Sequence, residues 1–365
     1  MERAKISPFQ LFALIFLFEL GSAIVVSLGI GAKKDAWLAI LLGLASGMGL
    51  FFIYYYLFLQ YPNLPFTNYC RKIFGKYLGW GIGLLYTIHF IYAAARNLRD
   101  FGDLLLASTL PKTPLFPINT FFILAIGYVL FLGIEVLGRT AEVFIVILLF
   151  LGVTGNLLVH LSGNVNYDHL MPILEEGWKP ILTTTFPLIT FFPFGEAFVF
   201  TMLLPYLNQP KFVKKVYLSA LVSSGLILIY TASLNIAVLG VDRVERSTFP
   251  LLSTIGTVNI AEFLQRLDSI AIFTLIITLF FKIIIFYYAA IIGIVDLFQF
   301  KNYKKIVLPI GIIILYSSVT IASSFAEHIQ EGQKIAAQYI HIPLHIILPF
   351  LMLVIVLIRK KLRSH

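Results

Sequence analysis

The sequence predicts an all-α, polytopic integral membrane protein of about ten transmembrane helices, arranged as a five-plus-five inverted repeat with the first and sixth helices broken. Three observations predict it. Of the 365 residues, 59% are hydrophobic and only 12% charged, with a mean hydropathy of +0.92, where soluble chains carry about a quarter charged residues. Apolar runs of about 20 residues, the length a bilayer requires, recur along the whole chain. Two of these runs are interrupted at their midpoints, with a carboxylate beside each interruption: FELGSAIVVSLG at Glu19 and Gly21, and FFPFGEAFVF at Pro193, Gly195 and Glu196.

In chain order the predicted spans cover about 8–31, 36–60, 78–106, 117–135, 141–162, 182–207, 212–240, 266–297, 305–325 and 341–359. The first is a retained helix and not a cleaved signal, because it is as long as a full span and ends in Lys33 and Lys34 instead of small residues. Five spans precede the loop 162–181 and five follow it. An odd number inverts the second group in the membrane, so residues 8–162 and 182–359 form the expected repeats within one integral domain, 1–365. In the second span, Gly43 and Gly47 form a GxxxG pattern suited to close packing against a neighbour.

The net charge of +9 does not mark a nucleic-acid binder, because the basic residues gather in alternate loops. Lys5, Arg71, Lys72, Lys76, Lys211, Lys304 and Lys360 belong to one side, which the positive-inside rule makes cytoplasmic along with both termini. Most acids, including Asp35, Asp168, Glu175, Glu176, Asp242 and Glu262, fall on the other. The single cysteine, Cys70, forms no internal disulfide.

Three connections read as structured. Residues 61–77, with Pro62, Pro65 and three bases, suggest a short amphipathic helix on the cytoplasmic lipid surface. Residues 164–178 (with HLMPILEEGW) suggest an outer lid leading into the sixth span, and 249–263 an outer hairpin folded back over the site.

A buried carboxylate costs several kcal/mol unless it faces protein, water or an ion, so the two breaks are the expected binding site. At the first, Gly21 releases the backbone from helical geometry and Ser22 can satisfy freed groups, with Ala23 following. At the second, Pro187 and Pro193 remove donors, and Phe194 and Gly195 lead into Glu196. The predicted ligand site is therefore Gly21, Ser22, Ala23, Pro193, Phe194, Gly195 and Glu196. Lys282 lies mid-way along the eighth span and is expected to pair with Glu19 or Glu196, standing in for a cation or serving a gate.

In the third span, RNLRDFGD sets Arg96 with Asp100 and Arg99 with Asp103 at i, i+4 spacing, as either a solvated outer end or a gate. Tyr86, His89, Tyr230, Asn235, Tyr287 and Tyr288 are polar groups within spans, expected mainly to hydrogen-bond between helices. His341 and His345 share i, i+4 spacing without an acid or cysteine nearby, which favours packing over metal binding. No phosphate loop, dinucleotide fingerprint, HExxH or cysteine cluster is present. An enzyme, a cofactor and a metal are not expected.

The GSAI break with FFPFGEAF resembles the amino acid, polyamine and organocation transporter superfamily. The run ISPFQLFALIFLFELGSAIVVSLGIGAKKDAW, the loop HLMPILEEGWKPIL and FPFGE resemble a narrower group, the B subunits of spore germinant receptors in endospore-forming bacteria. This resemblance spans essentially the whole chain. It implies a leucine-transporter-type fold, residence in the spore inner membrane, and sensing of a small nutrient such as an amino acid, nucleoside or sugar. It also implies two partners, a larger A subunit and a C subunit that is a lipoprotein. Two rival readings remain open: a secondary transporter moving an amino acid with a cation, and a scaffold that only anchors its partners.

Overall fold

The computed structural model describes residues 4–260, 264–265 and 267–363. Glu262 and Phe263, which entered the charge and hairpin expectations, lie outside them. The chain is an all-α membrane bundle. Among the described residues the β-structure is a two-residue pair, Asn259–Ile260 with Leu264–Gln265, and one isolated bridge.

Helix α1 (Pro8–Leu20) starts at a capping box, in which Ser7 and Gln10 satisfy each other's backbone N–H groups and Pro8 takes the first turn. It ends at Gly21 and continues only as 3₁₀ turns at Ser22–Ile24 and Ile30–Asp35. There follow α2 (Ala36–Gln60), α3 (Phe66–Phe74), α4 (Lys76–Ser108), α5 (Leu115–Leu132) and α6 (Ile134–Leu161). The sixth span is α7 (Trp178–Thr184), a π-helical turn at Thr185–Ile189, an unwound stretch through Pro193, and 3₁₀ helix from Glu196 to Met202. Beyond it come α8 (Val213–Leu239), α9 (Val241–Arg246), α10 (Pro250–Gly256), α11 (Asp268–Phe298), α12 (Lys304–Thr320), α13 (Phe325–Gln330), a π-helical segment Glu331–Ile347, and α14 (Leu348–Arg363).

Among the described residues, seven helices are long and apolar enough to cross a membrane. The other three predicted spans fall short for visible reasons: the first and sixth are the broken ones, and α12 has only 17 residues. Where the first and sixth spans begin and end on the termini side, their backbones are laced together. Ile6 N–H donates to Tyr206 O (2.9 Å), Asn208 N–H to Ile6 O (3.0 Å), and Lys5 Nζ to Pro205 O (2.8 Å).

The GxxxG of α2 does pack closely against a neighbour, the sixth span: a side chain on Gly43 would strike Ile189, and one on Gly47 would strike Phe194. Three expectations need correction. The last span does not start at 341, because α13 and the π-helical segment carry the helix out to Phe325. The loop 164–178 is a strap and not a lid over the cavity. Its Glu175 and Glu176 pair with Lys34 and Lys33, Leu174 N–H donates to Asp35, and Asn166 N–H to Ala237 O. Finally, α3 does not lie on lipid, since Phe66, Tyr69, Cys70 and Ile73 are buried against the bundle.

Helix α3 is pinned there by one carboxylate. Asp296 of α11 accepts from Thr67 Oγ1 (2.6 Å), Asn68 Nδ2 (3.1 Å) and Arg71 Nη2 (2.7 Å). Hydrogen bonds to a charged group contribute about 1.5–3 kcal/mol each, so Asp296→Ala should raise the open population of α3 by about tenfold or more. Cys70, buried on α3, is its built-in reporter. Its labelling by a thiol reagent should accelerate in Asp296→Ala and stay unchanged in the exposed control Glu135→Ala.

Candidate functional site

A cavity of about 100 Å³ lies between the broken first and sixth spans, α4 and the π-helical segment. The first break contributes Ser22 and the backbone turn Val26–Gly29, and the sixth span contributes Leu188, Phe192 and Glu196. Helix α4 presents Tyr92, Ala93, Arg96, Asn97 and Asp100 on one face, at the i, i+3, i+4 and i+7 spacing of a helix. Ile329, Gly332, Gln333, Ala336 and His341 close the opposite wall. The lid is therefore this last helix, and no residue of 164–178 or 249–259 lines the cavity.

At its floor, Lys282 Nζ of α11 stands 2.7 Å from Glu196 Oε2, both side chains almost wholly buried (0% and 7% exposed). The pair is at ion-pair distance, although its angles fall outside hydrogen-bond geometry. The ammonium also lies over the rings of Phe192 (4.5 Å) and Phe18 (5.1 Å), which adds cation–π attraction in a dry setting. Its stem runs directly across the helix break, where a Cβ on Gly21 would collide with Lys282 Cδ and with the Phe18 carbonyl. Of the two carboxylates, Glu196 is thus the contact partner. Glu19 is fully buried, and neither of its oxygens has a hydrogen-bond partner.

The rim is a charged clasp. Arg96 does not pair with Asp100. Its guanidinium donates to His328 O (2.7 Å) and reaches Glu331 (3.3 Å), passing over Gly332, where any side chain would displace it. Asp100 instead meets His328 Nε2 at 2.9 Å. Arg99 does bind Asp103 (2.6 Å) and also donates to Ala322 O (3.0 Å). Arg99, Asp100 and His328 are buried and Arg96, Asp103 and Glu331 half-buried, which discards the reading of a solvated helix end. Asn97 donates to Ala93 O (2.8 Å), but its Oδ1 is buried without a partner beside the cavity.

Of the seven predicted ligand residues, Ser22 and Glu196 line this cavity. Gly21 packs under Lys282, Phe194 against Gly47, and Gly195 against the Thr190 and Phe191 backbone. Ala23 faces a second, smaller cavity towards α8, and Pro193 belongs to the unwound stretch below. The physical reason is that a break places its carbonyls around the hinge itself, whereas the open space lies one turn further from the termini. Tyr92, Asn97, Gln333 and His328 escaped the sequence reading. The signal for Gln333 was present: 329, 332, 333 and 336 repeat at helical spacing in a segment polar enough to pass for a loop.

Most polar groups within spans do tie helices together, as expected. Tyr86 donates to Leu344 O (2.5 Å), Thr254 to Asn235 (2.7 Å), and Tyr287 to Val307 O. Tyr230 is exposed beside an apolar groove.

Comparison with known proteins agrees with this architecture. The chain is 41% identical over 364 residues to spore germination protein KB of Bacillus subtilis (strain 168), covering 100% of this chain and 98% of that one. It is 28% identical to spore germination protein YndE (90% and 89% covered) and 23% identical to spore germination protein A2 (78% and 77% covered), both from the same organism. The family model described as spore germination protein matches residues 5–326, and with near-complete alignment to a relative at 41% identity, the chain belongs to the spore germination protein family.

Proposed function

We propose that this protein is the membrane-embedded B-type subunit of a germinant receptor, which binds a small nutrient in the cavity between the two broken spans. It lies in the spore inner membrane with both termini cytoplasmic, and it acts with an A subunit and a C lipoprotein. Residues 8–162 and 182–359 are its two inverted five-helix repeats, of the leucine-transporter type. The observation that carries this reading is the cavity itself. Two broken helices, a buried ion pair at its floor and the orphan Asn97 Oδ1 at its wall make a largely apolar cleft with a few fixed polar groups, between broken helices of the kind that hold solutes in transporters. The nutrient acts by binding one conformation of the lid more tightly than the other, and the partners read out that shift.

Asn97→Leu keeps the side chain's size and removes its hydrogen bonds. In spores with this protein as their sole B-type subunit, it should raise the nutrient concentration for half-maximal germination by about tenfold, the effect of about 1.4 kcal/mol, with the protein level unchanged. An unaltered dose response, followed as the fall in optical density, would sink the assignment of the cavity. Uptake of a labelled amino acid by the purified protein alone in liposomes would instead establish the secondary transporter, whose alternating access the same broken helices also suit.

A further inference from the structure

Three imidazoles meet inside the bundle, next to the cavity but not explained by it. His89 of α4 and His341 and His345 of the π-helical segment are buried (3%, 9% and 0% exposed). His345 Nε2 stands 3.3 Å from His89 Nε2. The His341 and His345 rings lie parallel, 8° apart in orientation and 4.9 Å between centroids. All three Nδ1 atoms are buried without a hydrogen-bond partner. A buried polar atom left unsatisfied costs about 1–3 kcal/mol, so a stack of three would be a poor choice for packing alone.

Only His341 of the three lines the cavity. On the inner side the ring of Phe198 covers the group, 4.6 Å from His345 and 6.1 Å from His89. The flanking carbonyls are occupied, since Tyr86 donates to Leu344 O and Tyr54 to His345 O. The trio is thus closed towards the termini and open towards the cavity. Among the described residues, no three histidine, cysteine or acidic side chains converge as metal donors would.

We propose that this trio is a proton-binding site, loaded from the cavity through His341 and holding the added proton on the hydrogen-bonded His345–His89 pair. With both imidazoles neutral, His345 Nε2–H donates to His89 Nε2, which leaves His345 Nδ1 as the free acceptor. One proton added at that Nδ1 makes His345 an imidazolium, and its contact with His89 becomes a charge-assisted hydrogen bond, stronger than the neutral one. Because parallel rings present faces and not nitrogens to each other, delivery requires the His341 ring to turn. It takes a proton from the cavity, becomes imidazolium, and returns to neutral on passing that proton to His345. The charge gained is +1 for one proton bound.

The groups around the trio set its field. Tyr92 stands beside His89 on α4, Tyr86 of α4 and Tyr54 of α2 donate to the carbonyls next to and on His345, and the cations Arg96 of α4 and Lys282 of α11 act on His341 through space. The carboxylates nearest those cations, Glu331 and Glu196, are already engaged by Arg96 and Lys282. An aromatic face, that of Phe198, is the nearest stabilising surface for a cation.

The test needs no nutrient and no partner. The full chain, labelled with ¹⁵N-histidine and placed in lipid discs, is followed by NMR between about pH 8 and pH 4. The expected result is one shared protonation step for His89 and His345, with a ¹⁵N–¹⁵N coupling across their contact visible in the unsubstituted protein. His341→Phe preserves the stacked ring and removes the carrier. It should leave that step in place and slow solvent exchange of the shared proton by at least about tenfold, an effect that loss of packing alone does not give. Separate titration of His89 and His345, absence of the coupling, exchange unaffected by His341→Phe, or stoichiometric zinc binding that abolishes the step would each overturn the proposal.

Discussion

Lys282→Ala should destabilise the protein by about 3–5 kcal/mol, the cost of removing one partner from a buried ion pair. The substitution leaves Glu196 facing Phe192 without its cation, and leaves Glu19, whose oxygens already lack partners, in the same dry pocket. Little folded protein should then survive solubilisation, as size-exclusion chromatography of a fluorescent fusion would show. The informative comparison is Lys282→Met with Glu196→Gln. Neutral residues of similar shape remove the desolvation cost of both charges, so the double variant should recover most of the folded amount. If the pair also shapes the cavity floor, spores carrying the double variant should still fail to respond to nutrient. Equal loss of folded protein in single and double variants would show that Lys282 contributes by filling space over Gly21 and not by its charge.

That pair illustrates which parts of the site were legible. The sequence places Lys282, Glu19 and Glu196 in apolar runs, and charges in such runs must find one another. Which carboxylate wins depends on the unwinding at each break. Glu196 follows its glycine and enters a 3₁₀ turn facing the cavity, whereas Glu19 closes the last regular turn of α1. Hydropathy found the runs that become the seven membrane-length helices among the described residues, because a bilayer demands apolar length whatever the local geometry. It failed where polarity and burial part company. EHIQEGQKIAAQ has the composition of a loop, yet it is helical, because Arg96 and Asp100 of α4 meet the His328 backbone and ring and Glu331. For α3, the bases suggested a lipid surface. The partner of Arg71, Asp296, lies 225 residues further along the chain, a distance over which no local pattern speaks.

Phe198→Ala should be the costliest apolar substitution in the site. Its ring is fully buried and touches six others, those of Tyr54, Phe66, Tyr86, His89, Phe90 and His345, at centroid distances of 4.6–6.2 Å. Truncating a core phenylalanine costs about 3–5 kcal/mol, through lost transfer energy and the cavity left behind. Here the loss is more than stability, because Phe198 sits where the 3₁₀ half of the sixth span meets α3 and α4, between the histidines and the termini side. With the ring gone, Phe66 loses one of its three edge-to-face partners and α3 rests more heavily on Asp296. Phe198→Ala combined with Asp296→Ala should therefore speed Cys70 labelling beyond the product of the two single effects, as coupled neighbours do. Phe198→Leu, which refills most of the volume, should restore stability towards the original value while leaving the two substitutions close to additive. Strict additivity of Phe198→Ala with Asp296→Ala would mean that the aromatic layer and the carboxylate latch hold α3 independently, and that the termini side of the site closes in two steps instead of one.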